Sequence, residues 1–267
     1  MKHANTIDDF LELRPTLAAN PEGLEQRPLS WYWCSSLTPR HKETLARLGL
    51  QPVRLVRHMV KDKQEVAGVF HKHERVQRQV NCLIGTPHDL HKEANKGGRR
   101  VRFLSNVRGN ESGGLLMGYE SMDQTSTKVH VDLSSLELHA LLAESIPVVD
   151  IVTYEMHGVQ RFALVTDTSQ PSTFVLTGAT GAEINSWLLQ TRLVLKLVRC
   201  YLEKGETKFI AVARRSSIPR WSWVANVSSD TLSNRLRSQG AYLVDLDVSC
   251  DPGGRTRFSG VFYRWKQ

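Results

Sequence analysis

The sequence predicts an α/β fold of five tandem units, each built as strand, helix, strand and strand. Three observations predict it: candidate helix N-caps recur at nearly constant spacing, helical apolar periodicity follows each cap, and two strand patterns follow each helix. The caps differ in residue number by 48, 48, 46 and 48, and they are Thr38, Thr86, Ser134, Thr180 and Ser228.

Each cap is a hydroxyl residue, whose side-chain oxygen can accept a hydrogen bond from an otherwise unpaired N–H of the first helical turn. Thr38 and Thr86 precede proline, which suits the first helical position. Ser134 and Thr180 are followed three residues later by glutamate, the spacing of a capping box. Five short helices are therefore predicted.

Strands are predicted on both sides of each helix. The first strand after the helix is expected at residues 53–60, 99–107, 148–154, 194–201 and 242–249. The second is expected at 66–70, 115–119, 162–165, 209–212 and 258–262. The strand before the cap is clearest at 31–33, 128–131, 174–176 and 221–223.

The arrangement of units at the two ends predicts a closed, pseudo-fivefold, propeller-like ring. The chain has no sixth leading strand, so residues 29–33 could complete the sheet of the fifth unit and remove two sheet edges. An open repeat solenoid is the alternative. Residues 1–27 form an N-terminal extension with a possible short helix at 6–13, and residues 28–267 form one domain. Its units are about 28–72, 73–121, 122–168, 169–215 and 216–267.

The first and fifth units share a tryptophan-led motif, Trp31-Tyr-Trp33 with Val66-Ala-Gly-Val-Phe70, and Trp221-Ser-Trp223 with Arg257-Phe-Ser-Gly-Val261. This motif resembles the repeats in the amino-terminal domain of secreted fungal polyglycine hydrolases and of related bacterial tandem-repeat proteins. In those enzymes the hydrolase chemistry belongs to a separate β-lactamase-like domain, whose Ser-x-x-Lys motif does not occur here. The resemblance therefore implies a repeat domain and transfers no catalytic residue. The predicted architecture is also similar to the pentein ring of deiminases and amidinotransferases, although their histidine and cysteine signature is not evident.

The net charge of +8 is concentrated in the first two units. Residues 54–102 contain 12 lysines and arginines against 5 acidic residues. Such a basic rim would attract a small anionic or zwitterionic ligand, or a peptide or protein partner, although a solvated basic face is the alternative. Aromatic residues that could stack on bases are scarce there, which argues against a nucleic-acid partner.

Other features bear on compartment and cofactors. No apolar run approaches the roughly 20 residues of a membrane span, and the first residues open no hydrophobic signal core. Four cysteines without CxxC spacing argue against a metal knuckle or a disulfide scaffold and favour a reducing cytoplasm. No cofactor and no metal are expected.

A charged residue occurs 16 or 17 residues after every cap, between apolar neighbours. Because strand residues alternate between faces, these residues are predicted to share the face that lines the ring axis. They are Arg54, Arg102, Asp150, Lys196 and Asp245. Further along the same predicted face lie Asp247, His58, Asn106, Tyr154, Cys200 and Ser249.

Two interpretations of this lining remain open. The charges could neutralise one another as a structural network. Alternatively they could line a pocket, in which Arg54 and Arg102 bind an anionic group and Asp150 or Asp245 a cationic one. Lys196, Asp247, Asn106, Tyr154 and Ser249 would then be further ligand contacts. In a catalytic version Cys200 is the nucleophile and His58 the base, with Asp245 nearby.

Four tryptophans alternate along two strands and could form core contacts or an aromatic platform for a peptide or sugar; they are Trp31, Trp33, Trp221 and Trp223. The function predicted from these features is non-catalytic recognition of a ligand or protein through the axial pocket and the basic rim. A small-molecule hydrolase or transferase with a Cys/His/Asp site is the first alternative. A structural or assembly protein is the second.

Overall fold

The computed structural model describes residues 27–61, 63–73, 79–107, 114–122, 126–203, 205–216, 220–251 and 253–264. Within these ranges the predicted order of strand, helix, strand and strand occurs five times. The chain is thus a tandem repeat. The helix expected at residues 6–13, with most of the N-terminal extension, lies outside the described residues.

The elements have the following bounds. The first unit contains β1 (Ser30–Cys34), α1 (Pro39–Arg47), β2 (Gln51–Val60) and β3 (Lys63–Lys72). The second contains β4 (Val80–Gly85), α2 (Pro87–Asn95), β5 (Arg99–Asn106) and β6 (Leu115–Ser121). The third contains β7 (Thr127–Leu133), α3 (Ser135–Ala143), β8 (Val148–Met156) and β9 (Val159–Asp167). The fourth contains β10 (Phe174–Ala179), α4 (Gly181–Thr191), β11 (Val194–Glu203) and β12 (Glu206–Arg214). The fifth contains β13 (Arg220–Val227), α5 (Ser229–Gln239), β14 (Tyr242–Cys250) and β15 (Thr256–Arg264).

All five predicted N-caps are confirmed. Each hydroxyl accepts a hydrogen bond from the backbone N–H three residues further on. The capping boxes expected at Ser134 and Thr180 are present, and the glutamate of each reaches back to the cap backbone. The start of every helix is thus determined locally, because the cap side chain accepts a hydrogen bond from a first-turn N–H that has no partner within the helix.

Each unit forms its own three-stranded antiparallel sheet, with the last strand of the unit in the middle. The strand orders are β1-β3-β2, β4-β6-β5, β7-β9-β8, β10-β12-β11 and β13-β15-β14. The leading strand β1 pairs with β3 of its own unit, where Trp31 lies opposite His71 and Cys34 opposite Gly68.

The prediction of a closed α/β ring is therefore wrong. The five sheets are separate, and none is closed or curled. The described residues are 56% strand and 22% helix, so the fold is mostly β rather than α/β. The reason is local: the hairpin of β2 and β3 offers β1 a free edge within the same unit, so β1 completes that sheet instead of the fifth.

Neighbouring units are joined mainly by side chains among the described residues, and one isolated parallel bridge, between Arg57 and Val107, links the backbones of the first and second units. Ile184 and Leu188 of α4 share a buried cluster with Tyr242 and Val261 of the fifth unit. The first and fifth units also touch, since Val69 packs in a cluster with residues of β14 and β15. One face of a sheet thus packs on its own helix, and the other packs on a neighbouring unit.

A β-bulge interrupts the first strand after every helix. The ladder skips one residue in each of β2, β5, β8, β11 and β14, and the skipped residues are Val53, Arg102, Val149, Lys196 and Val244. A bulge shifts the alternation of faces beyond it. The residues that follow the bulges, and that occupy equivalent positions, are Arg54, Phe103, Asp150, Leu197 and Asp245.

Gly118 makes room for the ring of Phe103. The two residues are opposite each other in β6 and β5, and a Cβ added at Gly118 would lie 2.2 Å from a ring carbon of Phe103. Phe103 is fully buried, and the guanidinium carbon of Arg54 lies 6.0 Å from its ring centroid. The glycine therefore fixes the position of a ring at the centre of the molecule.

We expect Gly118→Ala to lower the free energy of unfolding by about 1–3 kcal/mol, because the buried ring has to move. Urea denaturation measures the change. Gly181→Ala is the matched control, since an added Cβ there would meet Trp223 at an ordinary 3.5 Å, and its stability should be unchanged or slightly higher. An unchanged unfolding midpoint for Gly118→Ala would contradict the packing described.

Candidate functional site

Four buried charged residues from four different units meet at the centre of the molecule. We call Arg54, Asp150, Arg199 and Asp245 the central ion network; each is at most 5% exposed. Arg54 Nη1 donates to Asp150 Oδ2. Arg199 Nη2 donates to Asp150 Oδ1 at 2.7 Å and to Asp245 Oδ1 at 3.0 Å, and its Nη1 donates to Asp245 Oδ2 at 2.6 Å. Arg199 therefore bridges two carboxylates.

The same side chains bind the backbone of neighbouring units. Asp150 Oδ2 accepts a hydrogen bond from the N–H of Leu104 at 2.7 Å, and Asp245 Oδ2 accepts one from Val198 at 3.1 Å. Arg199 Nε donates to the carbonyl of Ile151 at 3.0 Å. Each of these bonds joins the strands that directly follow the helices of two units, namely β5 with β8 or β8 with β11 or β11 with β14.

The charges of the network support one another. Burial alone would raise the pKa of Asp150, but the charges of Arg199 and Arg54 hold it below its ordinary value. Burial opposes the charge of Arg199, yet Asp150 and Asp245 raise the pKa of its guanidinium. Burial and the charge of Arg199 lower the pKa of Arg54. Arg199 is thus the cation on which both aspartates depend.

A cavity of about 720 Å³, here called the basic cavity, has the central ion network in its lining. All five bulge residues also line it. Its six cations are Arg54, Arg100, Arg102, Lys196, Arg199 and Arg214, and its four carboxylates are Glu120, Asp150, Asp167 and Asp245. A bulge turns a side chain away from the regular alternation, and here it brings Arg102 and Lys196 to the cavity wall.

The wall of the basic cavity contains two further ion pairs. Arg100 Nη2 lies 3.3 Å from Asp167 Oδ2, and Arg102 Nε lies 3.8 Å from Glu120 Oε1. Burial alone would raise the pKa of Asp167, but hydrogen bonds from Ser126 and Ser169 and the charge of Arg100 lower it. Lys196 Nζ donates to the carbonyl of Val148 at 3.4 Å.

A second cavity of about 1140 Å³, here called the polar cavity, is lined by Asn106, Tyr154, Cys200, Asn226 and Ser249, among others. Asn226 Oδ1 accepts from Ser249 Oγ at 3.2 Å and lies 3.7 Å from Cys200 Sγ. The hydroxyl of Tyr154 accepts from the N–H of Asp132 at 2.8 Å. A small void lined by Arg54, Arg199, Cys200 and Asp247 lies between the network and this cavity. The predicted axial lining is therefore divided between the two cavities, with Asp247 in the small void between them.

The three candidate catalytic residues lie in different surroundings. Asp245 lines the basic cavity and is bound by Arg199. Cys200 lines the polar cavity, and its N–H donates to Asp247 Oδ2 at 2.7 Å. His58 is buried, and its Nε2 donates to the carbonyl of Ser35 at 3.1 Å. His58 is not among the described residues that line either cavity.

The four tryptophans pack in the interior or at junctions between units. Trp33 is buried, and its ring meets Phe258 edge-on at 5.8 Å. Trp223 donates from Nε1 to Asn185 at 2.9 Å. Trp31 and Trp221 are partly buried against the core clusters. Core packing is the arrangement that these contacts favour over an exposed platform.

The sequence did not assign Arg199 to the site. It lies two residues after Leu197, on the face that was predicted to be core. That prediction assumed a regular alternation of faces and did not include the bulge at Lys196. A signal was present nevertheless: Arg199 interrupts an apolar run in β11, as Arg54 does in β2. Of the predicted basic rim, Arg100 and Arg102 line the basic cavity, whereas Arg75 and Arg78 lie outside the described residues.

The fold and site define a tandem-repeat protein of five mostly β units with a buried ionic centre. No known protein family matches the sequence, and no curated protein is similar to it. In the part of the chain that the structure describes, no helix is long and apolar enough to cross a membrane. Nor do the described residues contain a group of three histidine, cysteine or acidic side chains that could hold a metal.

We expect Arg199→Met to lower the free energy of unfolding by about 3–5 kcal/mol at pH 7, because two buried carboxylates lose their shared cation. Chemical denaturation measures it. Because the pKa of Asp150 is lowered in the native protein, its ionised carboxylate stabilises the fold at pH values above 3.8, the ordinary pKa of the group. This stabilisation is lost as the pH falls. The difference from wild type should therefore shrink below about pH 4.

Lys96→Met is the control for that experiment, since it removes an exposed cation paired with Glu93. A surface pair contributes about 1 kcal/mol or less, so this variant should remain close to wild type. Equal losses of unfolding free energy in the two variants would show that the central ion network stabilises the fold no more than a surface ion pair does.

His71 joins the first and fifth units through a buried contact. Its Nε2 donates to the carbonyl of Leu243 at 2.7 Å. Burial lowers the pKa of His71 from 6.5 to about 3, although the bond to Leu243 acts in the opposite direction. The neutral imidazole is thus the form that fits the native structure.

We expect His71 to make unfolding pH-dependent. Its stability contribution is complete above pH 6.5 and falls as the pH drops toward 3, by about 2–3 kcal/mol at pH 4.5. His71→Gln keeps a donor for Leu243 but does not titrate, so its unfolding free energy should vary less over pH 7 to 4.5. His88→Gln, at an exposed position on α2, should leave the wild-type slope unchanged. A slope in His71→Gln as steep as that of wild type would contradict the assignment.

Proposed function

We propose that this protein is a non-catalytic recognition domain that binds a small anionic ligand in the basic cavity. One observation carries the proposal: a cavity of about 720 Å³ has six cations and four carboxylates in its lining. Ligand sites are concave and largely preformed, with a few polar groups that fix orientation. Excess positive charge in a partly enclosed space attracts anions and strengthens each contact with them.

The construction of the cavity supports the same function. The central ion network forms a fixed floor, since its side chains are hydrogen-bonded to the backbone of several strands. Arg102 lies on the wall with its side chain 42% exposed, so it remains accessible to a ligand. Val53, Val149 and Val244 supply apolar wall between the charged groups.

The positions of the candidate catalytic residues favour recognition over catalysis. Cys200 lines the polar cavity, whereas Asp245 lines the basic cavity, so the candidate nucleophile and the candidate acid do not share one pocket. Asp245 is bound by Arg199 and by the backbone of Val198. A purely structural role for the central ion network remains the alternative, and it would leave the basic cavity unused.

Two further parts of the proposal rest on the sequence. The likeness of the first and fifth units to the tryptophan-led repeats of secreted fungal polyglycine hydrolases supports a recognition role, since those repeats stand apart from the hydrolase chemistry. None of the four cysteines forms a disulfide, which supports a reducing compartment such as the cytoplasm.

A panel of small anions, neutral molecules and cations tests the proposal by thermal shift and calorimetry. At least one anion should bind saturably and raise the melting temperature, and its affinity should fall as salt is added, because both partners are charged. Arg100→Gln combined with Arg102→Gln should weaken every anion that binds, since both side chains line the cavity.

Lys92→Gln is the matched control, because it removes an exposed cation from α2 of the same unit. Its anion affinity should equal that of wild type. If no anion binds, or if the Arg100/Arg102 variant binds as wild type does, the basic cavity is not the recognition site.

A further inference from the structure

We infer that the polar cavity is a second binding site and that its ligand is a neutral, hydroxyl-rich molecule of the sugar class. The site is separate from the basic cavity, because the two linings share no described residue. Two observations carry the inference. Hydroxyl groups recur at one position of the wall in successive units, and uncharged side chains that both donate and accept hydrogen bonds dominate the lining.

Three successive units place a hydroxyl at the same position of the cavity wall. Each hydroxyl residue lies four positions beyond the first paired residue after the bulge, on the strand that follows the helix. The three residues are Tyr154, Tyr201 and Ser249. Residues separated by an even number along a strand share a face. The wall therefore contains the same chemical group from the third, fourth and fifth units.

The backbone before each helix binds the tyrosine hydroxyls. Two residues before the cap, the chain has a positive φ at Asp132 (58°), Gly178 (66°) and Asn226 (53°). The hydroxyl of Tyr154 accepts from the N–H of Asp132 at 2.8 Å. The hydroxyl of Tyr201 is hydrogen-bonded to the backbone of Gly178. A hydroxyl that accepts one hydrogen bond still has its own hydrogen to donate, so each tyrosine is held in place with a donor.

Asn226 adds a side-chain amide to the wall at the same backbone position. A positive φ is uncommon for residues with a side chain, and asparagine adopts it more readily than most. The N–H of Asn226 donates to Ser259 Oγ at 3.2 Å, and its Oδ1 accepts from Ser249 Oγ at 3.2 Å. The amide is therefore anchored through its oxygen, and its NH₂ group supplies two donors.

The lining as a whole suits a neutral ligand. Its uncharged polar residues, among those described, are Asn106, Thr153, Tyr154, Gln160, Tyr201, Thr207, Asn226 and Ser249. Its residues with a formal charge, histidine counted as neutral, are Glu155, Asp251 and Arg257. Arg257 Nη2 lies 2.9 Å from Asp251 Oδ2. Two acids against one arginine give an anion no attraction, whereas sugar hydroxyls donate and accept as these side chains do.

The size of the cavity and its two tyrosine rings suit a chain of sugar rings. Its volume of about 1140 Å³ exceeds the roughly 300–1,000 Å³ of most small-molecule pockets. Tyr154 is buried, and the ring of Tyr201 meets Phe162 edge-on at 6.4 Å, so packing fixes both rings. A tyrosine has an apolar body and a polar tip, which matches the C–H and O–H groups of a sugar.

The test is saturation-transfer NMR followed by calorimetry on the full chain. The probes are neutral di- and trisaccharides of glucose, galactose, mannose and N-acetylglucosamine. At least one should bind saturably, and its affinity should not change with added salt, because the ligand is uncharged. Asn226→Gly keeps the positive φ, which glycine adopts readily, and removes the amide. It should weaken that saccharide about fivefold, the loss expected for one hydrogen bond.

Asp132→Gly is the matched control. It makes the same backbone change at the equivalent position of the third unit, and Asp132 is not among the described residues that line the cavity. Its saccharide affinity should equal that of wild type. Tyr201→Phe is the second variant, since it removes a hydroxyl and keeps the ring that packs on Phe162. It should weaken the saccharide by a similar factor, and it decides the matter if Asn226→Gly fails to fold.

The outcomes separate this site from the basic cavity. The inference is wrong if no saccharide binds saturably, or if Asn226→Gly and Tyr201→Phe both bind as wild type does. It is also wrong if a neutral capped dipeptide, N-acetyl-dialanine methylamide, binds more tightly than every saccharide. Arg100→Gln combined with Arg102→Gln should leave saccharide binding unchanged, and Asn226→Gly should leave anion binding unchanged. Anion recognition can therefore fail without the sugar site, and the sugar site without anion recognition.

Discussion

Hydrogen bonds between buried charged side chains and the backbone of a neighbouring unit hold the centre of this protein together. Because no ladder continues from one sheet into the next, the edge strands β5 and β8, and likewise β11 and β14, have backbone groups at their contact that need partners. Asp150 accepts from Leu104, and Asp245 accepts from Val198, at separations of 46 and 47 residues. Those separations are about one repeat, so a carboxylate takes the place that a paired strand would otherwise fill.

This arrangement explains why so much charge is buried. A carboxylate that bonds only to backbone N–H groups would leave an uncompensated negative charge in the interior, which costs several kcal/mol. Arg199 compensates two carboxylates at once, and it also donates to the carbonyl of Ile151. The backbone therefore requires the aspartates, and the aspartates require the arginine. The ionic cluster follows from the separate sheets and does not by itself imply chemistry.

Local signals predicted the units well, and non-local pairing limited the rest. N-caps such as Thr38 and Ser134 act within one helical turn, so their spacing revealed the helices and the repeat. The pairing of β1 with β3 could not be read from spacing, because residues 29–33 fit the edge of the first or the fifth sheet equally well by pattern. No single residue type marks the bulged position in these strands, so the sequence does not reveal where the bulge lies. Counting from the caps therefore placed Arg102 and Lys196 beside Arg54, and it assigned Arg199 to the core.

The bulges shift side chains away from the regular alternation of faces. They also give each unit one position at which the residue type differs between units. A bulged residue has no direct partner in the ladder, so its side chain can change without altering the pairing of the sheet. In three units this position is valine, and in two it is a cation, Arg102 or Lys196. All five line one cavity. The residues just after the bulges are constrained by the ionic centre or by core packing. Binding chemistry can therefore vary at the bulges, while the neighbouring positions keep the units together.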